Sequence, residues 1–126
     1  MEKELTRNEL LAINECLIYL STKETGIWYQ ILKNKKKVKT LVDETMELRN
    51  EIVEKFSKKD ENGEKVKDEN GNILVSDPEE ANKALTKLGD EIVIVELDQA
   101  NLSELKDAKF ESRYVEPLLD NMLIAD

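Results

Sequence analysis

Histidine is absent from this chain of 126 residues, and cysteine occurs once, at Cys16. Without histidine, imidazole zinc sites and every Ser-His or Cys-His catalytic arrangement lack their central residue. A single cysteine also excludes a disulfide framework within the chain. Cys16 lies inside the apolar run LLAINECLIYL, where a buried thiol is expected rather than a reactive thiolate. These absences point away from most hydrolytic and redox enzymes.

Long apolar runs are also missing. No stretch approaches the roughly 18 to 20 residues that span a bilayer, and no charged segment followed by an apolar one opens the chain. Hydrophobic residues make up 40% of the sequence and charged residues 37%, which is too apolar for a disordered chain and too charged for a membrane protein. We expect one domain over residues 1–126, no membrane partner, and a cytoplasmic protein.

Positive charge is scarce in the second half of the chain. The net charge is −9, but residues 1–59 hold 12 basic and 10 acidic side chains, whereas residues 60–126 hold 7 basic and 18 acidic ones. A negative field repels phosphate backbones over about 8 to 10 Å at physiological salt. General nucleic-acid binding is therefore not expected, and a basic protein is favoured as a partner.

The first half predicts two helices. Thr6 and Glu9 match a capping box, and apolar residues from Leu10 to Leu20 cover most sides of the helix that follows. Residues 27–59 form a second helical segment without proline or glycine, either straight or bent near LKNKKKVK. Its apolar face is formed by Ile27, Ile31, Val38, Leu41, Val42, Leu48, Ile52, Val53 and Phe56.

The length of the second helix predicts an oligomer. About 30 helical residues extend about 45 Å, whereas a compact domain of this size is only about 26 Å across. Part of the apolar face must then be covered by a partner subunit, unless the helix bends. We therefore expect a homo-oligomer formed through this helix.

The second half predicts strands and shorter helices, which gives an α+β fold class. The tetrapeptide DENG occurs at 60–63 and again at 68–71, and predicts a β-hairpin because Asn-Gly tolerates positive φ. Asp77 and Pro78 predict the start of a helix that ends near Gly89. The remaining predictions are EIVIVEL at 91–97 as a central strand covered on both faces, a helical turn at 101–106, an extended segment at 108–112 and a helix at 117–124.

The repeated DENG also raises the question of a metal site. An EF-hand loop needs glycine at its sixth position and a carboxylate at its twelfth. Counted from Asp68, position 6 is Ile73, and counted from Asp60, position 12 is Gly71. The acids are therefore assigned to turns, and no metal or cofactor is expected.

Several polar residues are candidates for ligand binding. Asn34, Thr45 and Arg49 are predicted on the apolar face, where a buried arginine needs a carboxylate partner or an anionic ligand. Trp28 with Tyr29, and Arg113 with Tyr114, are groups that stack on a base and clasp a phosphate. Core packing, the alternative to binding, is the default for Trp28 and Tyr114. The lysines at 33, 35, 36, 37 and 39 either attract phosphate or form a solvated helix face.

The order of these features resembles an uncharacterised family of small proteins encoded by tailed bacteriophages of the siphovirus type. The resemblance is carried by the apolar first helix, the long helix ending in EKFSKKDENG, the second DENGN, the capped helix, EIVIVEL and the closing YVEPLLDNMLIAD. It provides no catalytic residues. It implies a protein that acts by binding in the host cytoplasm, not an enzyme.

Three binding functions are compatible with this resemblance. The favoured one is an antagonist of host defence that sequesters a nucleotide-derived immune signal in pockets of a homo-oligomer. The alternatives are an accessory protein of virion assembly and an acidic mimic of nucleic acid that inhibits a basic host protein. The residues predicted to bind the ligand are Trp28, Tyr29, Lys33, Lys37, Arg49, Arg113 and Tyr114.

Overall fold

The protein has an α+β fold, seen in a computed structural model that describes residues 1–23, 26–101, 112–121 and 123–125. The elements before the repeated turns are β1 (Glu2–Thr6), α1 (Arg7–Ser21) and α2 (Trp28–Phe56). The elements after them are α3 (Pro78–Asp90), β2 (Ile92–Glu96), β3 (Ala100–Asn101), a 3₁₀ turn (Ser112–Tyr114), α4 (Glu116–Asp120) and β4 (Ile124–Ala125). The expected segments at 102–106 and 108–111 lie outside the described residues.

The helix starts follow the predicted caps. The Thr6 hydroxyl accepts from the Glu9 N–H at 3.1 Å, and the Glu9 carboxylate accepts from the Thr6 N–H at 3.0 Å, which confirms the capping box. The Asp77 carboxylate accepts from the Glu80 N–H at 3.2 Å, and Pro78 opens α3. Three N–H groups that the helices leave without backbone partners are satisfied in this way.

Strand β1 was not predicted, and it changes the position expected for β2. The two strands pair antiparallel, with Leu5 opposite Val93 and Glu4 opposite Ile94. Leu5 and Val93 are buried, whereas Ile92 and Ile94 on the other face are 58% and 60% exposed. The prediction of a central strand covered on both faces was wrong, because within the described residues this sheet has only two strands.

The repeated DENG forms two tandem turns, as predicted, in a segment that we call the turn unit (57–76). Asp60 and Asp68 each accept two backbone N–H groups of their own turn, and Gly63 and Gly71 have φ of 78° and 81°. Instead of a simple hairpin, the three extended segments that contain Lys58, Val66 and Leu74 are joined by a closed cycle of backbone hydrogen bonds. In this cycle Lys58 donates to Leu74, Leu74 donates to Val66, and Val66 donates to Lys58, each at 2.8 Å.

Helix α2 is a single helix of 29 residues, as predicted, and it is continuous through LKNKKKVK, where the sequence left a bend open. Helices α1 and α3 and strand β2 pack against it. We call positions 31, 34, 38, 41, 45, 48 and 52 the inner seam. Ile31, Asn34, Val38 and Thr45 on this seam are at most 4% exposed. The chain therefore covers much of the apolar face on which the expectation of an oligomer rested, although Leu48 and Ile52 stay half-buried.

The C-terminal segment closes the core. Pro117 lies at the start of α4, as predicted, but this helix ends at Asp120, and the chain then forms β4, which pairs in parallel with β3. Val115, Leu118 and Leu123 are buried in the same apolar cluster as the core residues of α1 and β2. One cluster thus draws side chains from both halves of the sequence.

Candidate functional site

A second line of residues on α2 is largely exposed, although Val42 within it packs against the core. We call positions 28, 32, 35, 39, 42 and 46 the outer seam. They follow the same alternating spacing of three and four residues as the inner seam. They are rotated from it by about 100° around the helix. Trp28, Leu32 and Met46 on this seam are 62%, 43% and 38% exposed. Large apolar side chains left in water along one face are typical of a binding surface.

A groove of about 460 Å³ runs between the outer seam and α1. We call it the outer groove. Ile18, Leu32 and Val42 give it an apolar lining, and Ile18 is 48% exposed although α1 was expected to be buried on most sides. The polar residues that line the groove are Asn14, Lys35, Lys36, Lys39 and Asp43.

The outer groove carries a local positive charge on an acidic protein. Three lysines face a single carboxylate, Asp43, which pairs with Lys39 at 2.7 Å. Lys35 reaches the Ser21 hydroxyl at 3.5 Å, and Lys36 has no ion-pair or hydrogen-bond partner among the residues that the structure describes. An apolar surface bordered by unneutralised ammonium groups suits a ligand that is both apolar and acidic.

A groove of similar volume, about 410 Å³, lies between α2 and α3. Its apolar residues are Leu48, Ile52, Ala84 and Leu88. Its charged residues are balanced, because Lys55 and Lys87 accompany Glu51 and Glu91. This groove lacks the charge bias that would select an acidic partner.

The seven residues predicted to bind a ligand do not meet in one place within a chain. Trp28, Tyr29, Lys33 and Lys37 lie in the N-terminal part of α2. Arg49 lies about 31 Å from Trp28 and about 18 Å from Lys37 along the helix axis. Arg113 and Tyr114 lie beside α1, in a small cavity of about 170 Å³ with Cys16.

Lys33 and Lys37 hold a strand end in place. Their ammonium groups lie 3.0 and 3.3 Å from the Asp98 carboxylate. The hydrogen bond from Lys33 is the main reason that the pKa of Asp98 is lowered, and the same bond raises the pKa of Lys33. Beside them the Asn34 amide donates to the Asp98 carbonyl at 2.9 Å and accepts from its N–H at 2.8 Å. These two lysines therefore share one carboxylate and are both engaged within the chain.

Tyr114 is occupied by other side chains. Its ring stacks on Tyr19 with centroids 4.2 Å apart, and the Arg113 guanidinium lies 4.7 Å from the Tyr114 centroid. Lys23 lies over the Tyr19 ring in turn, at 5.1 Å. Tyr19 takes one face of Tyr114 and Arg113 lies over the ring as well, so both side chains compete with a base for this aromatic. Tyr114 packs against the core, as its alternative interpretation predicted.

Trp28 does not pack in the core, so that interpretation was wrong for it. Its ring meets Tyr29 edge to face, with centroids 5.7 Å apart, and Lys33 lies 4.9 Å from the Tyr29 centroid. Trp28 lies four residues before Leu32 on the outer seam and extends the line of the outer groove toward the helix N-terminus.

The buried arginine is Arg7, not Arg49. Arg49 is exposed, because position 49 lies one residue past the inner seam. Arg7 is 4% exposed and donates to Thr45 Oγ1 at 2.8 Å, to Glu44 Oε1 at 2.7 Å and to Glu91 Oε1 at 2.9 Å. Burial opposes its charge, but the bonds to Glu44 and Glu91 outweigh burial and raise its pKa. Asn34 and Thr45 are buried as predicted. Sequence reasoning missed Arg7 because its partners Thr45, Glu44 and Glu91 lie 38, 37 and 84 positions away in the chain.

Cys16 is a core residue, as predicted. It is 1% exposed, and burial, followed by the nearby Glu15 charge, raises its pKa to about 11. The thiol is therefore protonated at neutral pH and a poor nucleophile. Within the described ranges, no group of three or more cysteine or carboxylate side chains is placed to hold a metal ion, and no helix is long and apolar enough to cross a bilayer.

No family model, curated protein or solved structure matches this chain. What it binds must therefore be inferred from its own surfaces. Among the described residues, the outer groove combines exposed apolar area with a charge opposite to that of the whole protein.

Proposed function

We propose that this protein is a non-enzymatic binding protein whose outer groove docks an apolar and acidic protein surface. The observation that carries the proposal is the pairing of Ile18, Leu32 and Val42 with three lysines, on a chain whose net charge is −9. Burying the apolar side chains supplies most of the binding free energy, and the lysines select and steer the partner. The protonated Cys16 and the absence of histidine also support binding rather than catalysis.

The biological setting belongs to the same proposal. A small accessory protein of a tailed phage, acting in the host cytoplasm, would use such a groove on a virion protein during assembly or on a host protein during defence. Both roles need a protein partner with an acidic, apolar surface, and the groove does not discriminate between them.

A photoreactive side chain at Leu32 tests the docking proposal. In bacterial cells that express the protein, Leu32 should cross-link to a peptide rich in acidic and apolar residues. The same side chain at Val75, which is 41% exposed in the turn unit, is the control and should not cross-link to that peptide. Mass spectrometry of the linked peptides reads the result. A peptide without acidic residues, or equal labelling from Val75, would contradict docking in the groove.

Charge reversal sharpens this test. The variant Lys35→Glu, Lys36→Glu, Lys39→Glu should lose the Leu32 cross-link, because like charges would then meet across the interface. The matched control reverses Lys58, Lys67 and Lys83, which are exposed and lie away from the groove. This control has the same net charge as the groove variant and should keep the cross-link at Leu32.

Sequestration of a nucleotide-derived signal is the second candidate. The observation that favours it is the exposed Trp28 ring at the end of a groove bordered by lysines, since such a ring can stack on a base. Native mass spectrometry after expression in cells with an active nucleotide-signalling defence should then show a retained small ligand that Trp28→Ala releases. A protein free of ligand from those cells would contradict this second candidate.

A further inference from the structure

The outer face of the β1–β2 sheet is another surface of the described residues that exposes apolar side chains. Ile92 and Ile94 form its centre, and the register places Thr6 and Glu4 beside them. At one end Glu2 lies opposite Glu96. All of these residues except the half-buried Thr6 are exposed. We call this surface the sheet face.

The sheet face has the opposite charge to the outer groove. Its carboxylates are Glu2, Glu4 and Glu96, and the N-terminal ammonium pairs with Glu96 at 2.8 Å. Glu2 and Glu4 thus leave a net negative charge around the two isoleucines. The outer groove has three lysines and one aspartate around its apolar lining. Each surface is apolar in the centre and charged at its border, with opposite signs.

The two surfaces also agree in length. A strand of five residues extends about 17 Å. The groove follows α2 from Leu32 to Asp43, about 16 Å of helix axis. A sheet face packed on a pair of helices is a common layer arrangement in proteins.

We infer that the outer groove of one copy receives the sheet face of a second copy. This inference rests on the proposed docking function of the groove and names its occupant. The contact is heterologous, because the two surfaces are different patches of the same chain. Each copy has one groove and one sheet face, so the contact closes as a reciprocal dimer where a two-fold axis relates the copies, and otherwise the assembly grows into a ring or a filament.

Pairing of like surfaces is disfavoured by charge. In an antiparallel pair of outer seams, the register that sets Trp28 against Met46 and Leu32 against Val42 also sets Lys35 against Lys39. In a parallel pair of outer seams, each lysine lies opposite the same lysine of the other copy. Two sheet faces would bring Glu4 against acidic side chains of the other copy. Like charges across an interface oppose association, so the unlike pair is favoured.

Two charge-reversed variants test this inference in sedimentation velocity over a wide range of concentration. The groove variant is Lys35→Glu, Lys36→Glu, Lys39→Glu, and the sheet variant is Glu2→Lys, Glu4→Lys. The wild type should form a dimer or a larger assembly and should dissociate as salt screens the contact. Each variant alone should remain monomeric, because its groove and sheet face now have the same sign. An equimolar mixture should assemble again, because both contacts between the two variants pair opposite charges.

A third variant distinguishes loss of the contact from misfolding. Ile94→Thr keeps the charges and suits a strand, and it should weaken assembly without changing the circular dichroism spectrum. Assembly of the sheet variant at the wild-type level would overturn the inference, as would a wild type that stays monomeric at every concentration. If the wild type and the sheet variant assemble while the groove variant is monomeric, or if Leu32 cross-links to a foreign acidic segment, the groove still docks a protein and the proposed function survives. If neither result is seen, both proposals fail.

Discussion

The inner and outer seams of α2 have the same spacing and differ by one position along the chain, yet four of the seven inner-seam residues are buried and none of the outer-seam residues is. Ile31 is 3% exposed and its neighbour Leu32 is 43% exposed. The polar residues of the inner seam have specific partners, since Asn34 binds the backbone of Asp98 and Thr45 binds Arg7. The outer seam instead carries Lys35 and Lys39 among its apolar residues. A helix face becomes core where each polar group on it finds a partner, and an apolar face bordered by lysines remains a surface.

Truncating adjacent residues on the two seams should give the largest contrast. Ile31→Ala should lower the free energy of unfolding by about 2 to 4 kcal/mol, because it leaves a cavity in the core. Leu32→Ala should lower it by less than about 1 kcal/mol, because much of that side chain is already in water. Urea unfolding measures both changes. Equal losses at the two positions would contradict the assignment of the seams.

The two arginines near the seams should also behave differently. Arg7→Met should lower the free energy of unfolding by about 2 to 3 kcal/mol, since it removes charge-assisted bonds to Glu44, Glu91 and Thr45. Arg49→Met should change it by less than about 0.5 kcal/mol, as is usual for exposed positions. Urea unfolding of the two variants under the same conditions measures both changes in the free energy of unfolding. A larger effect at Arg49 would place the buried cation at the position first predicted.

The smallest expected effect is the dependence of stability on pH through Asp98. The folded pKa of Asp98 is lowered by Lys33, so its contribution to stability is present above the unfolded pKa of about 3.9 and is lost as the pH falls through the folded value. Asp98→Asn should therefore lower the melting temperature at neutral pH, and the difference from the wild type should shrink below about pH 4. Asp43→Asn, at the exposed ion pair of the outer groove, is the control and should have little effect at either pH. A constant difference across this range would contradict the role of the Asp98 charge.

The features that the sequence predicted depend on local interactions. The Thr6 and Asp77 caps, the two DENG turns and the continuous α2 are each fixed by residues a few positions apart, and the structure confirms them. Strand β1 was missed because EKELT contains a single apolar residue, and its stability comes from pairing with a segment 90 residues away. Local pattern carries no information about such a partner.

The candidate site was less predictable than the fold. Arg49 was assigned to the buried face because positions 48 and 49 differ by only about 100° on a wheel, and the neighbouring helices decide which side is covered. Trp28 was given a core alternative because aromatic residues make up only 5% of the chain. The outer groove was missed because it requires Ile18 of α1 beside Leu32 of α2. Its sequence signal was an α1 segment that is apolar on more sides than one core can cover.

Cross-linking between copies tests the docking of the sheet face in the outer groove most directly. Leu32→Cys in one preparation and Ile94→Cys in another introduce exposed thiols, whereas the native Cys16 is buried with its pKa raised to about 11 and should not react. On mixing and mild oxidation, docking of the sheet face in the outer groove should give a disulfide-linked pair that joins residue 32 of one copy to residue 94 of the other. Its yield should be much higher than that of either homodimer. Homodimers linked only through residue 32, or only through residue 94, would contradict it.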